Sequence, residues 1–201
     1  MAIEAVVFDI GGVLCATPDL GVTTAWEHRL GLRAGEINER MSDVWQAGSL
    51  GAISEAAVHQ AAGDRLGLAR PERADFMADI WREYLGTANP ELISYAGRLR
   101  PRFRTGILSN SFIGAREREQ AAYGFEDLVN VIIYSHESGV AKPDTRSYAL
   151  ACERLRVAPA QTVFVDDLDA CVAGARRAGL HPVQYQDNAQ VIAAIETLLA
   201  S

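Results

Sequence analysis

Apolar residues collect in short runs at 3–8, 103–108, 129–134, 162–165 and 181–185. The first, Ile-Glu-Ala-Val-Val-Phe, ends at Asp9 and Gly11-Gly12, which predicts a buried strand followed by a tight turn. Between the runs the spacing changes to that of helices. After Asn188, residues Val191, Ile192, Ile195, Leu198 and Leu199 fall on one face, and Asp144 is well placed as an N-cap for another helix. Strands alternating with helices from about residue 90 to 201 predict a parallel sheet covered on both faces. Residues 18–88 break the alternation and look helical throughout, near 21–31, 34–47, 54–66 and 72–85. The last of these has Pro71 at a plausible first-turn position and repeats Phe76, Met77, Ile80, Trp81 and Tyr84 at helical spacing. An all-helical insert placed after the first strand of an α/β core is the expected organisation.

Composition narrows the choice of partners. The 201 residues are 49% apolar and 22% charged, ordinary for a soluble globular protein. Nineteen basic residues against 26 acids give a net charge of −7, so no nucleic-acid partner is expected. The densest basic cluster, Arg98, Arg100, Arg102 and Arg104, alternates with apolar residues and reads as a helix-to-strand junction. No apolar stretch approaches a membrane span, and Glu4 stands where a signal peptide would be positive, so a cytoplasmic protein without a membrane partner is expected. Cys15, Cys152 and Cys171 form no C-x-x-C pair, which argues against a zinc site or a disulfide framework. Monomer and homodimer are both compatible with the sequence.

In open parallel sheets ligands bind beyond the carboxyl ends of the strands. Those ends carry Asp9, Ser109-Asn110 and Asp166-Asp167, while Lys142 follows the third run in Gly139-Val-Ala-Lys-Pro-Asp144. Three carboxylates, a hydroxyl and an ammonium thus converge on one edge. That set suits attack of a carboxylate on a phosphoryl group, with Mg2+ and a lysine offsetting the repulsion between like charges.

Val6-Val-Phe-Asp-Ile-Gly-Gly-Val-Leu14, Gly106-Ile-Leu-Ser-Asn110, Gly139-Val-Ala-Lys-Pro-Asp144 and Val163-Phe-Val-Asp-Asp167 resemble the four ordered motifs of the haloacid dehalogenase (HAD) superfamily. The resemblance spans nearly the whole chain outside the helical insert. It implies a Rossmannoid parallel sheet flanked by helices over residues 1–17 and 89–201, with 18–88 as a helical type-1 cap. It also implies Asp9 as the nucleophile that forms an aspartyl-phosphate, with Ser109, Asn110 and Lys142 binding the phosphoryl group beside Gly11 and Gly12. Asp9, the Gly11 carbonyl, Asp166 and Asp167 would hold Mg2+. The implied activity is hydrolysis of a small phosphomonoester, such as a sugar phosphate. The alternatives are a 2-haloacid dehalogenase or a weak member acting as a binding module.

One departure bears on mechanism. Most family phosphatases carry a second Asp two residues after the nucleophile as general acid and base; here that position is Gly11. Three accounts stand open: a good leaving group, an acid from the cap (Glu27, His28, Asp43 or Glu55), or weak catalysis. Cys171 stands where the subgroup often has Asn, and Thr145 replaces a frequent Pro. Phosphonate-cleaving relatives use a cap lysine, which this chain lacks, since Lys142 is its only lysine. Of the four histidines only His136, close before Lys142, draws attention. Trp26, Trp45, Trp81 and Tyr84 are expected in the core of the insert, with one or two facing the site, and Cys15 as a small buried hydrophobe.

Overall fold

The computed structural model describes residues 2–200. The chain runs β1 (Ala5–Phe8), β2 (Cys15–Ala16), α1 (Val22–Leu30), α2 (Glu36–Ser49), α3 (Glu55–Leu66), α4 (Arg70–Leu85), β3 (Thr87–Ala88) and α5 (Pro90–Leu99). Next come β4 (Arg104–Ser109), α6 (Ala115–Tyr123), α7 (Phe125–Leu128), β5 (Val131–Tyr134) and α8 (Ser135–Ser138). The chain closes with α9 (Thr145–Leu155), β6 (Thr162–Asp166), α10 (Asp169–Arg177), β7 (His181–Gln184) and α11 (Asn188–Leu199).

The five longer strands form one parallel sheet in the order β5-β4-β1-β6-β7, an α/β Rossmannoid arrangement. Its central strand explains the apolar run: every residue of β1 is buried, because helices cover both faces. Side chains alternate across it. Val6 and Phe8 join Leu92, Leu99 and Val191 on the α5–α11 face, while Ala5 and Val7 join Tyr148, Leu155 and Ala175 on the α9–α10 face. Successive strands lead outward from β1 through β4 to β5, then the chain returns to β6 on the other side of β1. The crevice between β1 and β6 is therefore the switch point at which such sheets bind ligands.

Residues 22–85 form the four expected helices around a separate cluster that includes Trp26, Ile37, Met41, Val58 and Phe76. Glu27 starts α2 by accepting from the Gly35 and Ile37 amides at 3.0 Å, and Ser54 caps α3 by accepting from the Ala57 amide at 3.2 Å. Where the chain leaves and re-enters the sheet region, β2 and β3 pair antiparallel over two residues each. Such short strands carry no readable periodicity, and nor do the one-turn helices α7 and α8. The helix expected after Asn188 includes that residue, its cap being Asp187, which accepts from the Gln190 amide. None of the helices among the described residues is long and apolar enough to cross a membrane.

Candidate active site

Register brings the acids together. Phe8 lies level with Val165, so the next residues, Asp9 and Asp166, emerge side by side, and their parity with Val7 and Phe164 turns both toward the α9–α10 face. Lys142 comes from the loop between α8 and α9. Its Nζ lies 2.7 Å from Asp9 Oδ1 and 2.7 Å from Asp166 Oδ2, and 5.4 Å from the centre of the Phe164 ring. Asn110 fixes that loop: its Nδ2 donates to the Lys142 carbonyl at 2.9 Å and its Oδ1 accepts from the Lys142 amide at 2.7 Å. Lys142 and Asp9 are buried, and Asp166 is wholly enclosed.

The remaining hydrogen bonds orient the carboxylates. Asp9 Oδ1 accepts from the Ile10 amide at 2.8 Å as well as from Lys142, and no hydrogen bond among the described residues engages Oδ2. Asp166 Oδ1 accepts from the Leu168 amide at 2.9 Å. Burial raises the pKa of Asp9 above the ordinary carboxylate range, while Lys142 pulls it down. Burial also works against the Lys142 ammonium, but the two carboxylates outweigh it and its pKa is raised. Asp167 is raised too, by burial and then by the charge of Asp166.

Oxygens of Asp9, Asp166 and Asp167 lie within 4.8 Å of one another. One ammonium faces three carboxylates, and hard oxygen donors in surplus negative charge fit a divalent cation such as Mg2+. The turn after β1 is shaped for this cluster. Gly12 has φ +73°, and a Cβ there would collide with the Asp167 carboxylate. Gly11 is different: a Cβ would meet nothing nearer than Thr17 Oγ1 at 3.6 Å.

Ser109 is buried at the end of β4, and among the described residues no hydrogen bond engages its hydroxyl. It does not cap a helix; α6 begins later, after Gly114. Beyond it, the Ser111 hydroxyl pairs with His136 Nδ1 at 2.7 Å, and the Ser111 amide donates to Ser135 Oγ at 2.8 Å. The Ser135 hydroxyl in turn reaches the Ser49 carbonyl at the end of α2 at 2.7 Å, and the Ile113 amide donates to the Gly48 carbonyl at 3.1 Å. These bonds hold the end of α2 over the sheet edge, and an open cavity of about 450 Å³ lies between α2, α4 and residues 110–112.

A family model described as haloacid dehalogenase-like hydrolase matches residues 3–179. The chain belongs to the haloacid dehalogenase-like hydrolases. This hydrolase is 34% identical over 193 residues to Phosphatase MT3486 of Mycobacterium tuberculosis (strain CDC 1551 / Oshkosh), covering 90% of this chain and 86% of that protein. It is 31% identical over 195 residues to an (S)-2-haloacid dehalogenase of Xanthobacter autotrophicus, covering 88% and 72% respectively. The wild-type HAD family enzyme bt-2542 of Bacteroides thetaiotaomicron, solved in complex with magnesium and inorganic phosphate, shares the fold. Its TM-score is 0.82 at 18% identity over 95% of this chain and 99% of that one.

The acids proposed from the helical insert do not converge on the cavity of this HAD-like hydrolase. Glu27 is buried and committed to the start of α2; Asp43 pairs with Arg65; Glu55 pairs with Arg118; none of the three, nor His28, lines the cavity. Trp45, Trp81 and Tyr84 all line it; Trp26 is a buried member of the insert's core cluster and Trp45 also packs against that cluster. Cys15 is fully buried in the sheet's core, as a small hydrophobe. One functional candidate escapes a reading by residue type. Glu119 lies 2% exposed on α6, accepts from the Tyr134 hydroxyl at 2.5 Å, and is pushed up by burial to about 7. In the sequence it sits in the polar stretch Ala-Arg-Glu-Arg-Glu-Gln, which looks like a solvated helix face.

Proposed function

We propose that this hydrolase is a Mg2+-dependent phosphatase of small phosphomonoesters, with residues 18–88 acting as a cap over the sheet edge. The observation that carries the reading is the surplus of carboxylates around a single ammonium at Asp9, Asp166 and Asp167. A dehalogenase of this family works without Mg2+, and for it that surplus would only repel an anionic haloacid. Asp9, Asp167 and the Gly11 carbonyl, with Asp166 behind them, would hold the ion, which when bound would neutralise part of the phosphate charge and polarise it.

In this reading Asp9 Oδ2 attacks phosphorus, the bond to the leaving oxygen breaks, and an aspartyl-phosphate forms on Asp9. Lys142 holds Asp9 in place and faces the incoming phosphoryl oxygens. The Ser109 hydroxyl, which no neighbour among the described residues engages, donates to one of them, and Asn110 keeps the Lys142 loop in position. Water then attacks phosphorus, releasing phosphate and restoring Asp9. No side chain at position 11 protonates the leaving oxygen.

The relatives include proteins named for both activities, so the deciding assay measures both products. Phosphate release should require Mg2+ and vanish in Asp9→Asn. Chloride release from a 2-chloroacid without added metal would replace this reading with the dehalogenase one.

A further inference from the structure

The cavity beside the proposed phosphoryl site has walls unlike a sugar-binding site. Trp45, Met77, Trp81, Tyr84 and Phe112 form most of its surface. The Phe112 ring packs edge-on against Trp45 at 5.8 Å and Trp81 at 6.1 Å between ring centres, and Trp81 meets Tyr84 at 5.2 Å. Gly48 makes room for this arrangement, since a Cβ there would run into the Phe112 ring.

Its polar groups are largely spoken for. Asn110 is bound to Lys142, the Ser111 hydroxyl to His136, and the Ser49 hydroxyl to the Gln46 carbonyl at 2.9 Å. No lining residue is charged. Arg118 stacks over the Trp81 ring at 4.1 Å, but it is outside the lining and ion-paired with Glu55 at 2.5 Å. Among the described residues the Gln46 carboxamide of the lining is uncommitted, so the hydroxyls of a polyol would lose water here for few partners, which is costly. The Trp81 indole N–H has no hydrogen-bond partner among the described residues, but it is closed off from the chamber and offers a ligand no donor.

We propose that this chamber receives the leaving-group half of the substrate, and that this half is an uncharged, apolar ring. The inference rests on the phosphatase reading for where the phosphate sits: Asn110 and Ser111, which line the chamber, directly follow Ser109 in the chain. It also answers the glycine at position 11. A phenol-type oxygen leaves as a far weaker base than an alkoxide, so an aryl phosphate loses least from the missing acid. The balance is simple: the P–O bond breaks with its electron pair on the aryl oxygen, and water supplies the proton after departure.

Binding of non-hydrolysable phosphonates to the whole protein with Mg2+ tests the chamber apart from turnover. Tryptophan fluorescence and calorimetry would compare 4-methoxybenzylphosphonate, benzylphosphonate and the phosphonate analogue of a sugar phosphate. The aryl ligands should bind about tenfold or more tightly than the sugar analogue, as expected for ring burial. Trp81→Leu should lower affinity for both aryl ligands about fivefold, because an aromatic wall is lost. Phe112→Leu should weaken both rings without changing binding of inorganic phosphate. Equal or tighter binding of the sugar analogue, or unchanged affinity for both rings in Trp81→Leu and Phe112→Leu, overturns the proposal. Aryl preference without phosphate release from any ester would leave the chamber assignment standing and refute the phosphatase reading instead.

Discussion

Replacing Lys142 by Met removes the one cation between buried carboxylates while keeping most of the side-chain volume. The Lys142 side chain is 1% exposed and makes ion pairs at 2.7 Å on either side, to Asp9 and to Asp166. Without it the two charges confront each other across no more than 4.8 Å. At an effective dielectric constant of about 20, two charges at that distance repel by about 3.5 kcal/mol. Breaking a buried pair from one side costs about 3–5 kcal/mol in measured cases, which agrees. The sign with pH follows from Asp9. Its pKa is already raised by burial against the pull of Lys142. Loss of Lys142 raises it further, so the folded variant takes up a proton in mildly acidic solution and sheds much of the repulsion. Urea denaturation followed by circular dichroism, in EDTA, should therefore show a loss of about 3–5 kcal/mol at pH 8 and under about 2 kcal/mol at pH 5. Lys142→Arg separates charge from shape. It keeps the cation, so the pH dependence should largely disappear, but the broad guanidinium does not fit a slot built for a compact ammonium. Overpacking should cost about 1–3 kcal/mol, and phosphate release should fall by about a hundredfold or more. A loss in Lys142→Met below about 1 kcal/mol, or one equal at both pH values, would refute the electrostatic account.

Gly12→Ala places a Cβ on the Asp167 carboxylate at φ +73°; it should cost about 1–2 kcal/mol in urea denaturation and weaken the Mg2+ dependence of activity about tenfold or more. Gly11→Asp has room beside Thr17 and restores the acid, so turnover of alkyl phosphates should rise by about 10²-fold while aryl phosphates change little. No rise would mean that the proton comes from elsewhere. Glu119→Gln should stabilise the protein only above neutrality. The folded carboxyl keeps its proton to about pH 7 against an ordinary value of 4.5, so the cost of ionising it accrues between those values and is full above them. Thermal unfolding should show a gain of up to about 3 kcal/mol at pH 8.5 and none at pH 4.5, whereas an equal shift at both would disprove it.

What the sequence exposes follows from how each feature is enforced. Strands buried on both faces must be apolar throughout, so runs such as 3–8 and 162–165 mark β1 and β6, and the polar residues that end them mark the sheet edge. The excess at the margins also has a cause. Asn130, inside the run 129–134, precedes β5 because its side chain accepts from the Thr105 amide at 2.8 Å. Asp9, Asp166 and Lys142 were legible because strand ends and one loop converge by topology, whatever lies above them. The chamber was not. In α4, Trp81 and Tyr84 line the cavity, Met77 and Ile80 share both the cavity and the insert's core, and Phe76 packs among the insert's own helices. Helical spacing says that a stripe is buried; it does not say against what.

The scarcity of lysine gains a physical meaning from the ion pairs. Among the described residues the arginine of each ion pair keeps 30% or more of its side chain exposed, as in Arg146–Asp144 and Arg33–Glu39, and such pairs contribute little to stability. There a broad, always-charged fork is harmless, and Arg98, Arg100 and Arg102 sit as freely at the junction between α5 and β4. At 142 the requirement is opposite. The cation must be compact enough to touch Asp9 and Asp166 at once over the Phe164 ring, in a space that is almost wholly enclosed. A chain that uses arginine at every other basic position therefore keeps lysine where geometry, not charge, decides the residue.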